Sequence, residues 1–228
     1  MPNPIQIIDL NRIGYKAASA VLETIYQRCD QDLYPDTIIF QENDPIITLG
    51  RGSDLSNLLK SEEELREMGI EVAEVDRGGD ITYHGPGQLV ISVMIHIRRY
   101  SLTVHQYLRN LEEVVIRILA GYGIDAERIE GKSGVWVNEK KIAATGIAVT
   151  HGITRHGIAI NIEPDLAHYD TIIPCGISDK GVTSLKELNV STWDMEDIKR
   201  KFIRMFNEIF DTVTVEPCFK EGDINHEN

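Results

Sequence analysis

Apolar and polar positions along the chain switch repeatedly between helical spacing and strand spacing. Apolar residues at helical spacing predict helices over residues 14–29, 103–120 and 198–209, and a charged stretch predicts a short surface helix over residues 58–68. Thr103 is the expected N-cap of the helix over residues 103–120, and Gly69 is expected to end the surface helix. The helices alternate with candidate strands, which indicates a layered α and β architecture.

Short runs rich in β-branched residues predict the strands, over residues 37–40, 46–49, 72–75, 89–97, 135–137, 142–149, 158–162 and 212–215. The segment Asn43-Asp44-Pro45 predicts a hairpin between the first two of these strands. A tight polar turn is expected from Asn138 to Lys141. Because several neighbouring strands are hairpin-linked, the pattern favours a mixed sheet with flanking helices, of the α/β or α+β class. We expect one catalytic domain over residues 1–228, with its core at about 30–215 and a polar tail at 217–228.

Composition and charge narrow the choice of function. The chain has 228 residues, 42% of them hydrophobic, which is enough to fill a core. Its formal net charge of −13 argues against nucleic acid as a partner, because phosphate binding needs a basic surface. No apolar run approaches the roughly 18 residues of a membrane span, and the N-terminus has no basic, apolar signal pattern. A cytoplasmic protein with no membrane association is therefore expected.

The three cysteines are widely spaced and form neither a disulfide framework nor a zinc pattern. Cys29 and Cys218 are interpreted as small structural residues. Cys175 lies between Pro174 and Gly176, a setting that suits a thiol exposed on a sharp turn. It is a candidate nucleophile if a cation or helix N-terminus stabilises its thiolate form.

A glycine-rich segment from Arg77 to Gln88 is the second candidate for chemistry. Its glycines allow close approach of backbone N–H groups to a ligand, and it matches neither the dinucleotide nor the phosphate-loop motif. A functional loop and a plain turn-rich hairpin both remain open for it. Lys141 can be a solvated turn lysine or a cation in a cleft, and His156 can be a structural or a functional residue.

Six segments in the same order resemble the lipoyl(octanoyl) transferase family, and together they span roughly residues 35–190. The resemblance is carried by residues 77–90, 134–137, 141–144, 156–161, 174–177 and 182–185. It implies a fold similar to the catalytic domain of biotin and lipoate protein ligases. It also implies that Cys175 is the acyl-thioester nucleophile and Lys141 the lysine that favours its thiolate form.

The same resemblance implies an acyl pocket and no cofactor or metal. The pocket residues would be Arg77, Gly78, Gly79, Asp80, Ile81, Thr82, Tyr83, His84, Ala144, Thr145, Gly146, Gly157, Ile158 and Ala159. Thr145 departs from the apolar residue more usual in the family. The second step needs a base to take a proton from the acceptor lysine, and Lys141 and His84 are both candidates.

The implied partners are octanoyl-acyl carrier protein as donor, and lipoyl domains of 2-oxoacid dehydrogenase subunits and the glycine cleavage H protein as acceptors. Such partners tend to be acidic, so docking on this acidic chain would need a local basic patch, with candidates Arg51, Arg98, Arg99 and Lys132. Three alternatives remain open: an ATP-dependent lipoate or biotin protein ligase, octanoyl transfer between lipoyl domains, and a non-catalytic binding module.

Overall fold

The computed structural model describes residues 2–177, 179–190 and 192–218. The strands are β1 (Asn3–Ile13), β2 (Asp36–Asn43), β3 (Ile46–Leu49), β4 (Glu71–Glu74), β5 (Ile81–His84), β6 (Gln88–Met94), β7 (Glu127–Ile129), β8 (Lys132–Val137), β9 (Lys140–Thr150), β10 (Ile153–Asn161) and β11 (Thr212–Val215). The helices are α1 (Tyr15–Asp30), α2 (Glu62–Glu67), α3 (Val104–Ala120) and α4 (Met195–Phe210). None of these helices is long and apolar enough to cross a membrane. The predicted polar tail lies outside the described residues from position 219 onward.

Eight strands form one large mixed sheet in the order β11-β1-β2-β6-β10-β9-β8-β7. Strands β11, β1 and β2 run parallel, and each later neighbour pair is antiparallel. Helices α3 and α4 cover one face, where the main core includes Ile91, Leu111 and Phe202. Helix α1 covers part of the opposite face through Val21 and Ile25. The predicted mixed α/β class with flanking helices is confirmed.

The predicted hairpin across Asn43-Asp44-Pro45 is wrong, because the two strands belong to different sheets. Strand β2 pairs with β1 and β6 in the large sheet, whereas β3 pairs with β4 and β5 in a separate small sheet. Nearly all of β2 is buried, as expected for a central strand covered on both faces. Strand β1, which the sequence pattern did not predict, supplies one of the two neighbours that β2 needs.

The predicted helices at 14–29, 103–120 and 198–209 are confirmed with small shifts of their bounds. Thr103 caps α3 in a reciprocal capping box with Gln106. The helix predicted at 58–68 is shorter in the structure, where α2 spans only Glu62–Glu67. Leu59 instead donates its N–H to the carbonyl of Thr171 at 2.9 Å. That bond attaches this segment to the chain just before Cys175.

Candidate active site

A cavity of about 620 Å³ lies between the large sheet, the small sheet and α1. This volume is in the range of pockets that bind small molecules. Its wall combines residues of the large sheet, the glycine-rich loop and α1, among them Tyr15, Ser19, Gln41, Arg77, His84, Val90, Ser92, Ala144, Gly157, Ala159 and Cys175. Small side chains and glycines dominate the part formed by β9 and β10, and they leave room for a ligand above the sheet.

Cys175 occupies a short 3-10 turn, Pro174–Gly176, in the wall of this cavity. Its φ of 57° lies in the left-handed region, where non-glycine residues are uncommon and are concentrated at functional sites. Gly176 follows with a φ of 65°, and a Cβ there would lie 3.1 Å from Asp80 Oδ2. A side chain at position 176 would therefore be strained and crowded, which explains the glycine after the cysteine.

Two residues, Asn57 and Asp80, hold this turn, and we call them the turn clamp. The Asn57 carbonyl accepts the Ile173 N–H at 2.8 Å, and the Asn57 amide donates to Asp80 Oδ2 at 2.5 Å. Asp80 Oδ1 accepts the Asp54 N–H at 3.0 Å. The turn clamp thus attaches the cysteine turn to the segment just before β5. Both backbone and side-chain hydrogen bonds make this attachment.

Lys141 reaches the cysteine from strand β9. The predicted tight turn between β8 and β9 is confirmed, with Asn138 and Glu139 both at positive φ. The Lys141 side chain is buried rather than solvated, and its Nζ lies 3.2 Å from Cys175 Sγ. The same Nζ lies 4.8 Å from the centroid of the Trp136 ring. Within the described ranges, the partners of this ammonium are a thiol and an aromatic face.

The contact places a basic side chain directly against a sulfur nucleophile. A buried polar group is costly unless a partner lies beside it, and each of these two side chains is a partner of the other. A cation beside a cysteine is one arrangement that makes a cysteine reactive. The pair is therefore suited to nucleophilic attack on an acyl carbon.

Arg77, from the predicted glycine-rich loop, is a second buried cation near Cys175. Its guanidinium donates to the carbonyl of Thr48 at 2.8 Å and to that of Asp80 at 2.7 Å. Burial lowers the pKa of this guanidinium, while negative charge on Cys175 and Asp80 raises it. Because arginine stays charged in proteins, it adds a second positive charge close enough to interact with Cys175.

His84 borders the cavity, and a chain of hydrogen bonds fixes its tautomer. Asn161 Nδ2 donates to the Thr183 carbonyl at 3.0 Å, so Asn161 Oδ1 accepts from Gln88 Nε2 at 2.9 Å. Gln88 Oε1 therefore faces His84 Nδ1, 2.6 Å away, and the ring proton resides on Nδ1. Burial lowers the pKa of His84 to about 4. At neutral pH the ring is uncharged and its Nε2 is a proton acceptor.

His156 lies on β10 at the cavity wall with a φ of 60°. Its Nε2 is 2.5 Å from Asp76 Oδ1, and Asp76 Oδ2 pairs with Arg155 at 3.0 Å. Burial lowers the pKa of His156, although hydrogen bonding to Asp76 raises it. The carboxylate orients this ring, and the positive φ marks the position as constrained.

Most of the predicted pocket residues lie on the cavity wall. These are Arg77, Gly79, Asp80, Thr82, His84, Ala144, Thr145, Gly146, Gly157, Ile158 and Ala159. Ile81 and Tyr83 lie elsewhere, because alternate residues of a strand point to opposite faces and these two pack in the core of the small sheet. Gly78 lies outside the wall as well, and its N–H donates to the Ile147 carbonyl at 2.9 Å, which holds the loop against β9.

Sequence reasoning missed several residues of the site. Gln41 and Asn43 on β2, Tyr15 and Ser19 on α1, and Asn57 of the turn clamp were not singled out. Of these, only Gln41 and Asn43 carried a signal in the sequence. Amide side chains at alternate positions of an apolar strand are unusual, because such positions are usually buried and apolar. The others depend on contacts between segments that are distant in sequence.

Comparison with known proteins gives a consistent result at the sequence level. A family model described as the lipoyl protein ligase A/B catalytic domain matches residues 14–207. An octanoyltransferase from Flavobacterium psychrophilum is 39% identical over 232 residues, covering 94% of this chain and 100% of that protein. An octanoyltransferase from Alkaliphilus metalliredigens is 39% identical over 213 residues, covering 93% of this chain and 98% of its own length.

Solved structures agree with the predicted fold. A bi-partite lipoate protein ligase from Thermoplasma acidophilum superimposes with a TM-score of 0.77 at 19% identity, covering 97% of this chain and 89% of that chain. A biotin protein ligase from Aquifex aeolicus gives a TM-score of 0.51 at 14% identity, covering 92% and 69%. At these identities the likeness concerns the fold alone, and it confirms the expected similarity to lipoate and biotin ligase catalytic domains.

Proposed function

Because the chain belongs to the lipoyl protein ligase A/B catalytic-domain family, we propose that it is an octanoyltransferase that works through a thioester on Cys175. It takes the octanoyl group from octanoyl-acyl carrier protein and passes it to a lysine amine of a lipoyl domain. The names of its sequence relatives support the acyl group. The observation that carries the proposal is the 3.2 Å contact between Lys141 Nζ and Cys175 Sγ.

In the first half-reaction, the Cys175 thiolate attacks the carbonyl carbon of the donor thioester. The tetrahedral oxyanion collapses, the bond from the carbonyl carbon to the donor sulfur breaks, and octanoyl-Cys175 forms. The departing donor sulfur takes a proton from the Lys141 ammonium and leaves as a thiol. One thioester replaces another, so this step needs no ATP.

In the second half-reaction, the acceptor lysine must lose a proton before its amine can attack. The acceptor ammonium releases this proton to solvent, and its free amine attacks the acyl carbon. The neutral Lys141 amine, which lies beside the thioester sulfur, accepts the second proton, which the attacking nitrogen loses as the amide forms. The bond from the acyl carbon to Cys175 breaks, an amide forms, and the thiolate and ammonium are restored. His84 is the weaker base, because its pKa of about 4 lies far below the operating pH.

The acceptors we propose are lipoyl domains of 2-oxoacid dehydrogenase subunits and the glycine cleavage H protein. The small apolar residues Ala144 and Ala159 on the cavity floor support an alkyl substrate. Catalysis by a free thiol suits a reducing compartment, which supports action in the cytoplasm.

A comparison of acyl donors tests the proposed function against ATP-dependent ligation and against octanoyl transfer between lipoyl domains. The protein is mixed with a lipoyl domain and either octanoyl-acyl carrier protein without ATP, or free octanoate with ATP, or an octanoylated lipoyl domain. We expect efficient transfer from the carrier protein alone. Acylation that requires ATP and free octanoate would instead assign the chain to the ligases, and transfer only from the octanoylated domain would change the donor.

A further inference from the structure

Two buried amide side chains on β2 retain unused hydrogen-bonding capacity inside the cavity. Gln41 is 4% exposed, Asn43 is 2% exposed, and both line the cavity wall. Gln41 Nε2 donates to Asn43 Oδ1 at 3.1 Å. Gln41 Oε1 and Asn43 Nδ2 have no hydrogen-bond partner among the described residues. We call these two residues the amide pair.

The hydrogen-bonding capacity of the amide pair does not depend on how the two amides are oriented. If both amides were flipped, Asn43 would donate to Gln41, and the free atoms would be a nitrogen on Gln41 and an oxygen on Asn43. In either orientation, one donor and one acceptor of the pair stay unpaired in side chains that line the cavity wall. A hydroxyl group can both accept from and donate to such a pair.

Strand register places the amide pair across the sheet from the Cys175 side. Ala144 on β9 aligns with Ala159 on β10, which aligns with Val90 on β6, which aligns with Gln41 on β2. All four line the cavity. Lys141, which contacts Cys175, lies on β9 at the opposite end of this row. The row is a floor of small apolar side chains that ends at an amide.

The length of this floor matches a medium acyl chain. Three strand spacings separate Ala144 from Gln41, about 14 Å in all, and the Gln41 side chain itself occupies part of that span. An extended chain advances about 1.2 Å per bond, since three backbone bonds cover 3.3–3.6 Å. An eight-carbon chain that enters the row beside Ala144 therefore covers about 8 Å of it and ends short of the amide pair. A longer chain would press methylene groups against unpaired polar atoms, which disfavours it.

We propose that the amide pair is the end wall of the acyl site and selects the acyl group by its terminus. It disfavours alkyl chains long enough to cover it, and it accepts a chain of matched length that ends in a hydroxyl. This inference rests on the proposed acyl transfer from Cys175. It assigns Gln41 and Asn43 to specificity and gives them no part in the chemical steps.

The test compares three pantetheine thioesters, carrying octanoyl, 8-hydroxyoctanoyl and dodecanoyl groups, in the wild type and in Gln41→Met/Asn43→Leu. This double variant keeps side-chain volume and removes both free polar atoms. We expect the wild type to use the octanoyl and hydroxyoctanoyl donors with kcat/KM values within about threefold of each other. In the variant the hydroxyoctanoyl donor should fall by about tenfold or more relative to octanoyl, and dodecanoyl should rise relative to octanoyl.

Gln27→Met is the matched control, because Gln27 is an exposed residue of α1 and its replacement should leave the three ratios unchanged. If the wild type itself rejects the hydroxyoctanoyl donor by about tenfold or more, or if the double variant keeps the wild-type ratios, the end wall is overturned. If the double variant does not fold, the same comparison is made with Asn43→Leu alone. The kcat/KM ratio of the hydroxyoctanoyl to the octanoyl donor in the wild type then completes the test.

A second measurement separates this inference from the proposed function. Octanoate and 8-hydroxyoctanoate are titrated calorimetrically into Cys175→Ala, with and without the two substitutions in the amide pair. If no donor is used in the kinetic assay, the transfer proposal fails. The end wall still stands if removal of the amide pair weakens hydroxyoctanoate binding by about tenfold relative to octanoate, and it falls if both acids are affected equally.

Discussion

At the residue scale, the reactivity that we propose for Cys175 depends on charge as well as on a strained backbone. The turn clamp holds the cysteine at a positive φ, and Lys141 places a buried ammonium against its sulfur. Neither contribution replaces the other, because a thiolate in the wrong place cannot reach the acyl carbon and a well-placed thiol is a weak nucleophile. The two contributions are separable by substitution.

Lys141→Met keeps the length and burial of the side chain and removes its charge. We expect alkylation of Cys175 at neutral pH to slow by about tenfold or more, because a cation beside the sulfur increases its reactivity. Iodoacetamide labelling followed by intact mass measures this rate. Lys140→Met, at the neighbouring position, should leave the rate unchanged, and an unchanged rate in Lys141→Met would remove the lysine from this role.

Asn57→Leu breaks the turn clamp while keeping the side chain's size. The Asp80 carboxylate then loses a donor beside Gly176, and the cysteine turn loses a support. We expect formation of octanoyl-Cys175 to slow by about tenfold or more, because small misplacements are costly in catalysis. Ser56→Ala, at an exposed neighbouring position, is the control. A folded Asn57→Leu protein with the full wild-type rate would contradict a positioning role.

At the element scale, one buried carboxylate joins helix α3 to the strand beside the active-site lysine. Glu112 is fully buried and pairs with Arg109 at 2.7 Å and with Arg128 at 3.3 Å. Its Oε1 also accepts the N–H of Gly134 at 2.8 Å. Gly134 packs against the aliphatic part of Lys141, and a Cβ there would lie 3.4 Å from the lysine Cε. Glu112 thus fixes the backbone on which the lysine packs.

Glu112→Gln leaves two guanidinium groups without their shared carboxylate. The two guanidinium groups are about a third exposed and Arg128 keeps Glu113, so the main loss is that of charge-assisted hydrogen bonds, and we expect the free energy of unfolding to fall by about 1.5–3 kcal/mol. Urea denaturation measures the change. Glu113→Gln, one residue further and partly exposed, should cost less than about 1 kcal/mol. Equal effects of the two substitutions would show that the Glu112 network has no special role.

The elements that the sequence predicted well are those whose signals are local. Helix α3 has an apolar stripe and a capping box within its own residues, so both its existence and its start could be predicted. Strand β1 was missed, because its neighbours in the sheet are β2 and β11, the latter at the other end of the chain. The false hairpin after β2 arose because a local turn signal cannot show that the two strands enter different sheets.

At the scale of the whole molecule, the net charge of −13 poses a docking problem for acidic partners. Of the predicted basic residues, Arg99 is paired with Asp32 and Asp36. Lys132 lies in the cavity wall and pairs with Asp179 at 3.1 Å. A basic docking patch therefore stays a prediction, and Lys132 is the one of the four candidates that lines the cavity.

Neutral His84 makes the stability of the whole fold depend on pH. The pKa of an unfolded histidine is about 6.5, and burial lowers that of His84 to about 4. Between these values the unfolded chain binds a proton that the folded chain does not. Stability therefore falls as the pH falls from about 6.5 to 4, by at most about 3 kcal/mol from this group.

His84→Gln should make this loss smaller, because glutamine does not titrate. Urea denaturation of wild type and variant at neutral and mildly acidic pH gives the difference. His151→Gln is the control, since His151 is exposed and should leave the pH dependence unchanged. The same acid-induced loss in wild type and His84→Gln would show that the buried histidine does not contribute.

The predicted family and acyltransferase class are confirmed by the family model and by sequence relatives. The family resemblance also indicated Cys175 and Lys141, although a lone turn cysteine and a turn lysine are individually weak signals. Their contact joins positions 34 residues apart, which no local pattern can show. Asn57 was beyond reach for the same reason, because its role comes from tertiary contacts, whereas the amide pair carried a local signal, two amide side chains at alternate positions of an apolar strand, that was not used.

Intact mass after mixing the protein with octanoyl-acyl carrier protein tests the central claim most directly. The account predicts the added mass of one octanoyl group on the wild type, labile to hydroxylamine as a thioester is, and none on Cys175→Ala. Burial raises the pKa of the Cys29 thiol to about 11, so Cys29→Ser should keep the adduct, and Cys218→Ser should keep it as well. Absence of the adduct from the wild type, or its persistence in Cys175→Ala, would contradict catalysis through a Cys175 thioester.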